Sequence, residues 1–214
     1  MDLHSALATR AGYCRIVITP DDVERIFRNA NAFRDGHFVL ASGKHSPRYL
    51  EKFQVLQWPQ ETERLCGTIA AWWRAAVPDT VAGPTTGGII LAHEVARQLG
   101  TRAVYAERNE DGPGRVFRRG FQLRPGERVL VVDDIMTTGG SVQETMDAVR
   151  AAGAEVIGAA VLVDRSGGST TLDVPVRALW SLEVPSYSPA DCPLCREGIP
   201  VTKPGTTPAQ PARA

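Results

Sequence analysis

The 214-residue chain contains no apolar run approaching the roughly 20 residues that a helix needs to cross a bilayer. It has no excess of charge either. Its 24 Lys+Arg balance 24 Asp+Glu, which removes any global electrostatic case for a nucleic-acid or anionic-membrane partner. The phosphate-binding pattern G-x-x-x-x-G-K-[ST] is missing, and no G-x-G-x-x-G follows a strand-like run, so Walker-type and dinucleotide-type loops are excluded. No secretory leader is legible: acidic Asp2 and the short apolar stretch Ile16-Val17-Ile18 do not make one. A cytoplasmic protein is the expectation.

Cysteine and histidine are both scarce. Of Cys14, Cys66, Cys192 and Cys195, only the last two are closely spaced, and no histidine lies near them in sequence. One such pair is half of a zinc site. Metal binding there would need Cys14, Cys66 or a second chain, so the expectation is a pair of reduced thiols in a turn. His37, His45 and His93 are scattered without a ligand pattern, with His45 the best placed of them for chemistry.

The hydrophobic content, 43%, suffices for one sizeable core. Residues 1–18 show weak periodicity and read as an extension, 19–204 as one domain, and 205–214 as a disordered tail. Thr19-Pro20-Asp21-Asp22 carries the signs of a helix start, with Val23, Ile26, Phe27 and Ala30 at helical spacing behind it. His37 to Ala41 is strand-like, and Ser42 to Pro47 is a turn cluster. A helix is predicted from Pro59, burying Leu65, Ile69 and one of Trp72 and Trp73, the other being left for an interface. Strands are then predicted at 80–82, 102–106, 129–132, 156–163 and 176–180. Helices ending at Leu99 and running over 141–152 lie between them, and Glu107 to Gly120 reads as a mobile loop or irregular hairpin. Such alternation predicts an α/β fold: a parallel sheet with helices on both faces.

The informative stretch is Val129-Leu130-Val131-Val132-Asp133-Asp134-Ile135-Met136-Thr137-Thr138-Gly139-Gly140-Ser141. In a parallel sheet, ligands collect at the carboxyl ends of strands. Twin carboxylates there can meet hydroxyls or a metal. The small residues that follow let backbone N–H groups and hydroxyls approach an anion, and the next helix turns its positive end to the same point. Acids on hydroxyls and loop on phosphate describe a sugar-phosphate site.

This stretch resembles the PRPP (5-phosphoribosyl-1-pyrophosphate) motif of type I phosphoribosyltransferases, and within them the orotate enzymes. Phe38 to Pro47 is similar to those enzymes' base-site segment, Gly83 to Ile89 to their pyrophosphate loop, and Asp164-Arg165 to their Asp-Arg pair. The tail from Cys192 to Pro200 resembles that of a bacterial subgroup. The resemblance implies that fold, with a small hood built from N- and C-terminal segments. It implies transfer of the phosphoribosyl group of PRPP to orotate in pyrimidine biosynthesis, with Asp133, Asp134 and Arg108 catalytic. PRPP would contact Asp133, Asp134, Ile135, Met136, Thr137, Thr138, Gly139, Gly140 and Ser141, together with Thr85, Thr86, Gly87, Gly88 and Arg108. Thr137 and Arg165 would hold orotate. Mg²⁺ would be carried mainly by substrate phosphates and ribose hydroxyls, and a homodimer would let the mobile loop act across the interface.

The chain departs from the family pattern where positive charge is expected. Glu107 and Arg108 stand where an Arg-Lys pair is usual, the later Lys and His of that loop are absent, and Ala41 and Gly87 stand in place of lysines. Either Arg108, Arg115, Arg118 and Arg119 take over, or the chain serves a purine or other base, or it binds PRPP without catalysis as a regulator.

Overall fold

A computed structural model describes residues 17–40 and 42–204. Most of the expected extension and all of the expected disordered tail lie outside the described residues, as do Cys14 and Ala41. Ile18 is described: it is buried, and its N–H donates to Thr68 Oγ1 at 3.1 Å.

Helix α1 (Pro20–Asn29) starts as its sequence dictates. The Thr19 hydroxyl accepts from the Asp22 N–H while the Asp22 carboxylate accepts from the Thr19 N–H, a reciprocal capping box, and Val23, Ile26 and Phe27 are buried. Next comes an antiparallel hairpin, β1 (Phe33–Val39) and β2 (His45–Leu50). Here the expected turn at 42–47 is corrected, because His45, Ser46 and Pro47 belong to a strand. Proline is tolerated because pairing slips at this point, leaving Gly36 and His37 together against Pro47 as a bulge.

After α2 (Phe53–Leu56) and α3 (Pro59–Trp73) the main sheet begins. Its strands are β3 (Thr80–Pro84), β4 (Arg102–Arg108), β5 (Arg115–Phe117), β6 (Arg128–Met136), β7 (Glu155–Asp164) and β8 (Val176–Ser181), in the spatial order β5-β4-β3-β6-β7-β8. All neighbours are parallel except the edge pair β4–β5, so the stretch 107–120 is a hairpin. Helix α4 (Gly87–Leu99) follows β3 and ends on left-handed Gly100, while α5 (Gly140–Ala151) follows β6.

Strand β6 is apolar from Val129 to Val132 because both its faces are covered there. Leu130 and Val132 join the core formed with α1, α3 and α4, whereas Val129 and Val131 join that formed with α5. Trp73 is the core residue of the tryptophan pair; Trp72 is half-buried beneath the Arg177 guanidinium, 4.1 Å from its ring centre.

The last segment carries α6 (Pro193–Arg196) and returns to the hairpin. His45 and Tyr187 exchange backbone hydrogen bonds at 2.8 Å each. Thr202 donates to the His37 carbonyl at 2.8 Å and accepts from the Val39 N–H at 2.9 Å. Hairpin and tail together form the small hood beside the main sheet. Among the described residues, no helix is long and apolar enough to cross a membrane.

Candidate active site

Three loops meet at the carboxyl end of the central strands. The first leaves β6, whose last residues include Asp133 and Asp134, both nearly buried at 6% and 5% exposure. Two adjacent carboxyls with little water around them resist ionisation. Burial, reinforced by the neighbouring charge of Asp134, pushes Asp133 up to about 7. Burial also raises Asp134, opposed by Lys52. The Lys52 Nζ stands 3.4 Å from Asp134 Oδ1.

Beyond the acids the chain forms a cradle. A small recess of about 60 Å³ is lined by Asp133, Ile135, Met136 and every residue from Thr137 to Val142. Gly139 sits in the left-handed region at φ 78° ahead of α5, and a Cβ there would meet Thr170 Cγ2 at 2.6 Å. Thr137, Thr138 and Gly140 are exposed, and the first N–H groups of α5 face the loop.

The second loop joins β3 to α4 and contains the cis Thr85–Thr86 peptide. It lies directly on the acids, since a Cβ on Gly87 would stand 1.8 Å from Asp134 Oδ2. A side chain at this position would have to displace the Asp134 carboxylate, whose other oxygen faces Lys52.

The third contribution is Arg165, which follows β7. Its N–H donates to the Met136 carbonyl at 2.7 Å, and its Nε is buried without a hydrogen-bond partner among the described residues. Burial lowers its pKa. A guanidinium held this way offers a fork to a planar carboxylate.

The four arginines of the β4–β5 hairpin do not act alike. Arg115 is buried and links two loops, donating to Thr85 Oγ1 at 3.2 Å and Ser141 Oγ at 3.5 Å while lying 3.3 Å from Glu144. Arg118 is engaged by Glu110 and Asp111, and Arg119 by Glu107 at 2.8 Å. The exposed guanidinium of Arg108 has no polar partner among the described residues and borders, with Thr85, a cavity of about 490 Å³. Sequence reasoning missed Lys52 altogether and did not set Arg115 apart from its neighbours. His45, expected in the base-site turn, lies instead in β2 and pairs with the tail at Tyr187, and exposed His93 lies on α4.

The model of the phosphoribosyl transferase domain matches residues 54–182, which contain all three loops. The chain belongs to the phosphoribosyltransferase family. Among relatives of this phosphoribosyltransferase, the orotate phosphoribosyltransferase of Pelotomaculum thermopropionicum is 51% identical over 88% of this chain and 98% of that protein. That of Heliobacterium modesticaldum is 51% identical over 88% and 99%. The crystal structure of orotate phosphoribosyltransferase from Aeropyrum pernix superposes with a TM-score of 0.61 at 27% identity, covering 75% of this chain and 93% of that one.

Proposed function

We propose that this phosphoribosyltransferase joins the ribose 5-phosphate unit of PRPP to orotate, giving orotidine 5-phosphate and pyrophosphate in pyrimidine nucleotide biosynthesis. The observation that carries the choice of base is Arg165, whose buried Nε lacks a partner one backbone hydrogen bond away from the cradle. A base bearing a carboxylate supplies that partner, and the relatives of similar length bear the orotate name.

In this reading the cradle from Thr137 to Ser141 grips the 5-phosphate, with Ile135 and Met136 lining it. Asp133 and Asp134 accept from the ribose hydroxyls. Their negative potential also favours the positive charge that grows on the anomeric carbon as pyrophosphate departs. Thr85, Thr86, Gly87 and Gly88 receive the leaving group through backbone groups, Arg108 covers it, and Arg115 ties this loop to the cradle. Thr137 and Arg165 orient the base. The buried acids fit a divalent cation close by, since a positive charge would offset the burial that holds Asp133 near 7. Mg²⁺, carried on substrate phosphates and hydroxyls, would neutralise the leaving group. Exposed Phe53, Trp58 and Ile90 support a homodimer, and the lack of a membrane-spanning helix among the described residues is consistent with a cytoplasmic enzyme.

Turnover with PRPP, Mg²⁺ and a panel of bases tests the proposal. Product with orotate alone is expected. Product only with adenine, hypoxanthine or guanine, or PRPP binding without turnover on any base, overturns it.

A further inference from the structure

The hood holds a second cluster of chemically active side chains, apart from the three loops of the candidate active site. His37, His45, Cys192 and Cys195 come together although the histidines and the cysteines lie about 150 residues apart, and their four donor atoms all lie within 4.8 Å of one another. We propose that these four residues bind one structural zinc ion, which fastens the C-terminal segment to the β1–β2 hairpin.

The distances suit a single central ion. Zn–N bonds of about 2.0–2.1 Å and Zn–S bonds of about 2.3 Å at tetrahedral angles put two nitrogens about 3.3 Å apart and a nitrogen and sulfur about 3.6 Å apart. Here His37 Nε2 and His45 Nδ1 are 2.9 Å apart. The nitrogen–sulfur distances are 3.2 Å for His45 to Cys195, 3.5 Å for His37 to Cys192 and 3.8 Å for His37 to Cys195. Two imidazoles and two thiols in this arrangement are a zinc donor set, softer than magnesium accepts.

The surroundings prepare the donors. His37 Nδ1 lies 2.7 Å from the Ile199 carbonyl, which can only accept, so Nδ1 carries the proton and Nε2 turns its lone pair to the centre. Backbone carbonyls serve metal-bound histidines in this way. The bulge at Gly36-His37 allows His37 and Phe38 to be buried side by side, which an unbroken alternation would forbid. Cys192 caps the single turn α6 and Cys195 lies within it, so Cys-Pro-Leu-Cys presents both sulfurs to one point. His37 and Cys192 are shut away from solvent, while Cys195 lies at the open edge and leaves an entry path. The reading of this pair as plain thiols needing Cys14, Cys66 or another chain is thereby revised. Cys66 is buried in the main core, and the missing ligands come from the hairpin.

The full-length protein, purified without chelator or metal-affinity resin, tests this. Elemental analysis should find zinc stoichiometric with chain. Cobalt exchange should give the visible bands of tetrahedral Co²⁺ and a thiolate-to-cobalt charge-transfer band. Cys195→Ser, at the exposed edge, should weaken zinc at least roughly tenfold, and Cys192→Ser/Cys195→Ser should abolish the cobalt bands. Because a variant could fail to fold, the wild-type protein is also stripped with chelator: its melting temperature should fall and recover on adding zinc. A chain that carries no zinc and gives no cobalt bands overturns the proposal. So does full zinc binding by the folded double variant, or a Cys192–Cys195 disulfide in the protein as purified.

Discussion

Among the described residues, two largely buried clusters of ionisable groups are built on opposite logics. At the end of β6, Asp133 and Asp134 are like charges crowded together. Burial raises both, opposed by the Asp134 and Ile135 N–H groups, by Lys52 and by the more distant Arg115. Such a pair is at odds with itself until something arrives from solution, and the loops around it leave room for that arrival. In the hood, four donors of two kinds surround one point, with a carbonyl already fixing the tautomer of one of them. The first cluster is strained and open, as a site for a passing substrate should be. The second is converging and mostly closed, as a site for a resident ion should be.

The largest effect that would break this contrast is on catalysis. Asp133→Asn/Asp134→Asn should cut turnover at least about a hundredfold while zinc content stays unchanged. Next comes Arg165→Ala, for which kcat/KM for orotate should fall about ten- to a hundredfold with the KM for PRPP nearly constant. Arg165→Lys should not restore it, because an ammonium lacks the planar fork.

The acids should also reveal themselves through pH. Asp133 holds its proton more tightly folded, near 7, than unfolded, near 3.8. Its contribution to stability is therefore present in full below about pH 3.8 and is lost as pH rises through 7. Asp133→Asn should accordingly stabilise the free protein at pH 8, by at most about 4 kcal/mol, and leave it nearly unchanged at about pH 3. Denaturant melts at the two pH values measure this. An Asn variant less stable at pH 8 would show that the acid pair is not strained.

The smallest effect sharpens the division among the hairpin arginines. Arg118 spends its charge on Glu110 and Asp111 at the surface, so Arg118→Ala should change kcat less than about twofold. Arg115→Ala, which unties Thr85 from Ser141, should cost far more. Equal losses in the two variants would return them to a single function.

How far each cluster could be read from the sequence follows from how the chain supplies it. Asp133 through Ser141 is one strand–loop–helix passage, so acids, cradle and helix start are consecutive residues and their chemistry is legible in order. Arg165 directly follows the next strand, a position equally readable from the residues around it. Lys52 was not: it follows a strand hidden by Pro47 and by turn-forming neighbours, and a lysine beside Phe53 carries no pattern. Arg115 was one of several arginines until its burial singled it out. The hood cluster is the extreme case, because its histidines depend on a bulge and its cysteines on a tail that doubles back across the chain. No local spacing rule joins residues so far apart. Backbone pairing between His45 and Tyr187, and between Phe38 and Thr202, brings them together.

In the proposed reaction, twin buried acids and a small-residue cradle hold a ribose phosphate. Calorimetric titration of the protein with PRPP and Mg²⁺ measures that grip. The wild-type chain should bind one PRPP per site, and the folded Asp133→Asn/Asp134→Asn variant should lose at least about tenfold in affinity. Absence of binding by the wild type, or equal affinity in the variant, would contradict the account.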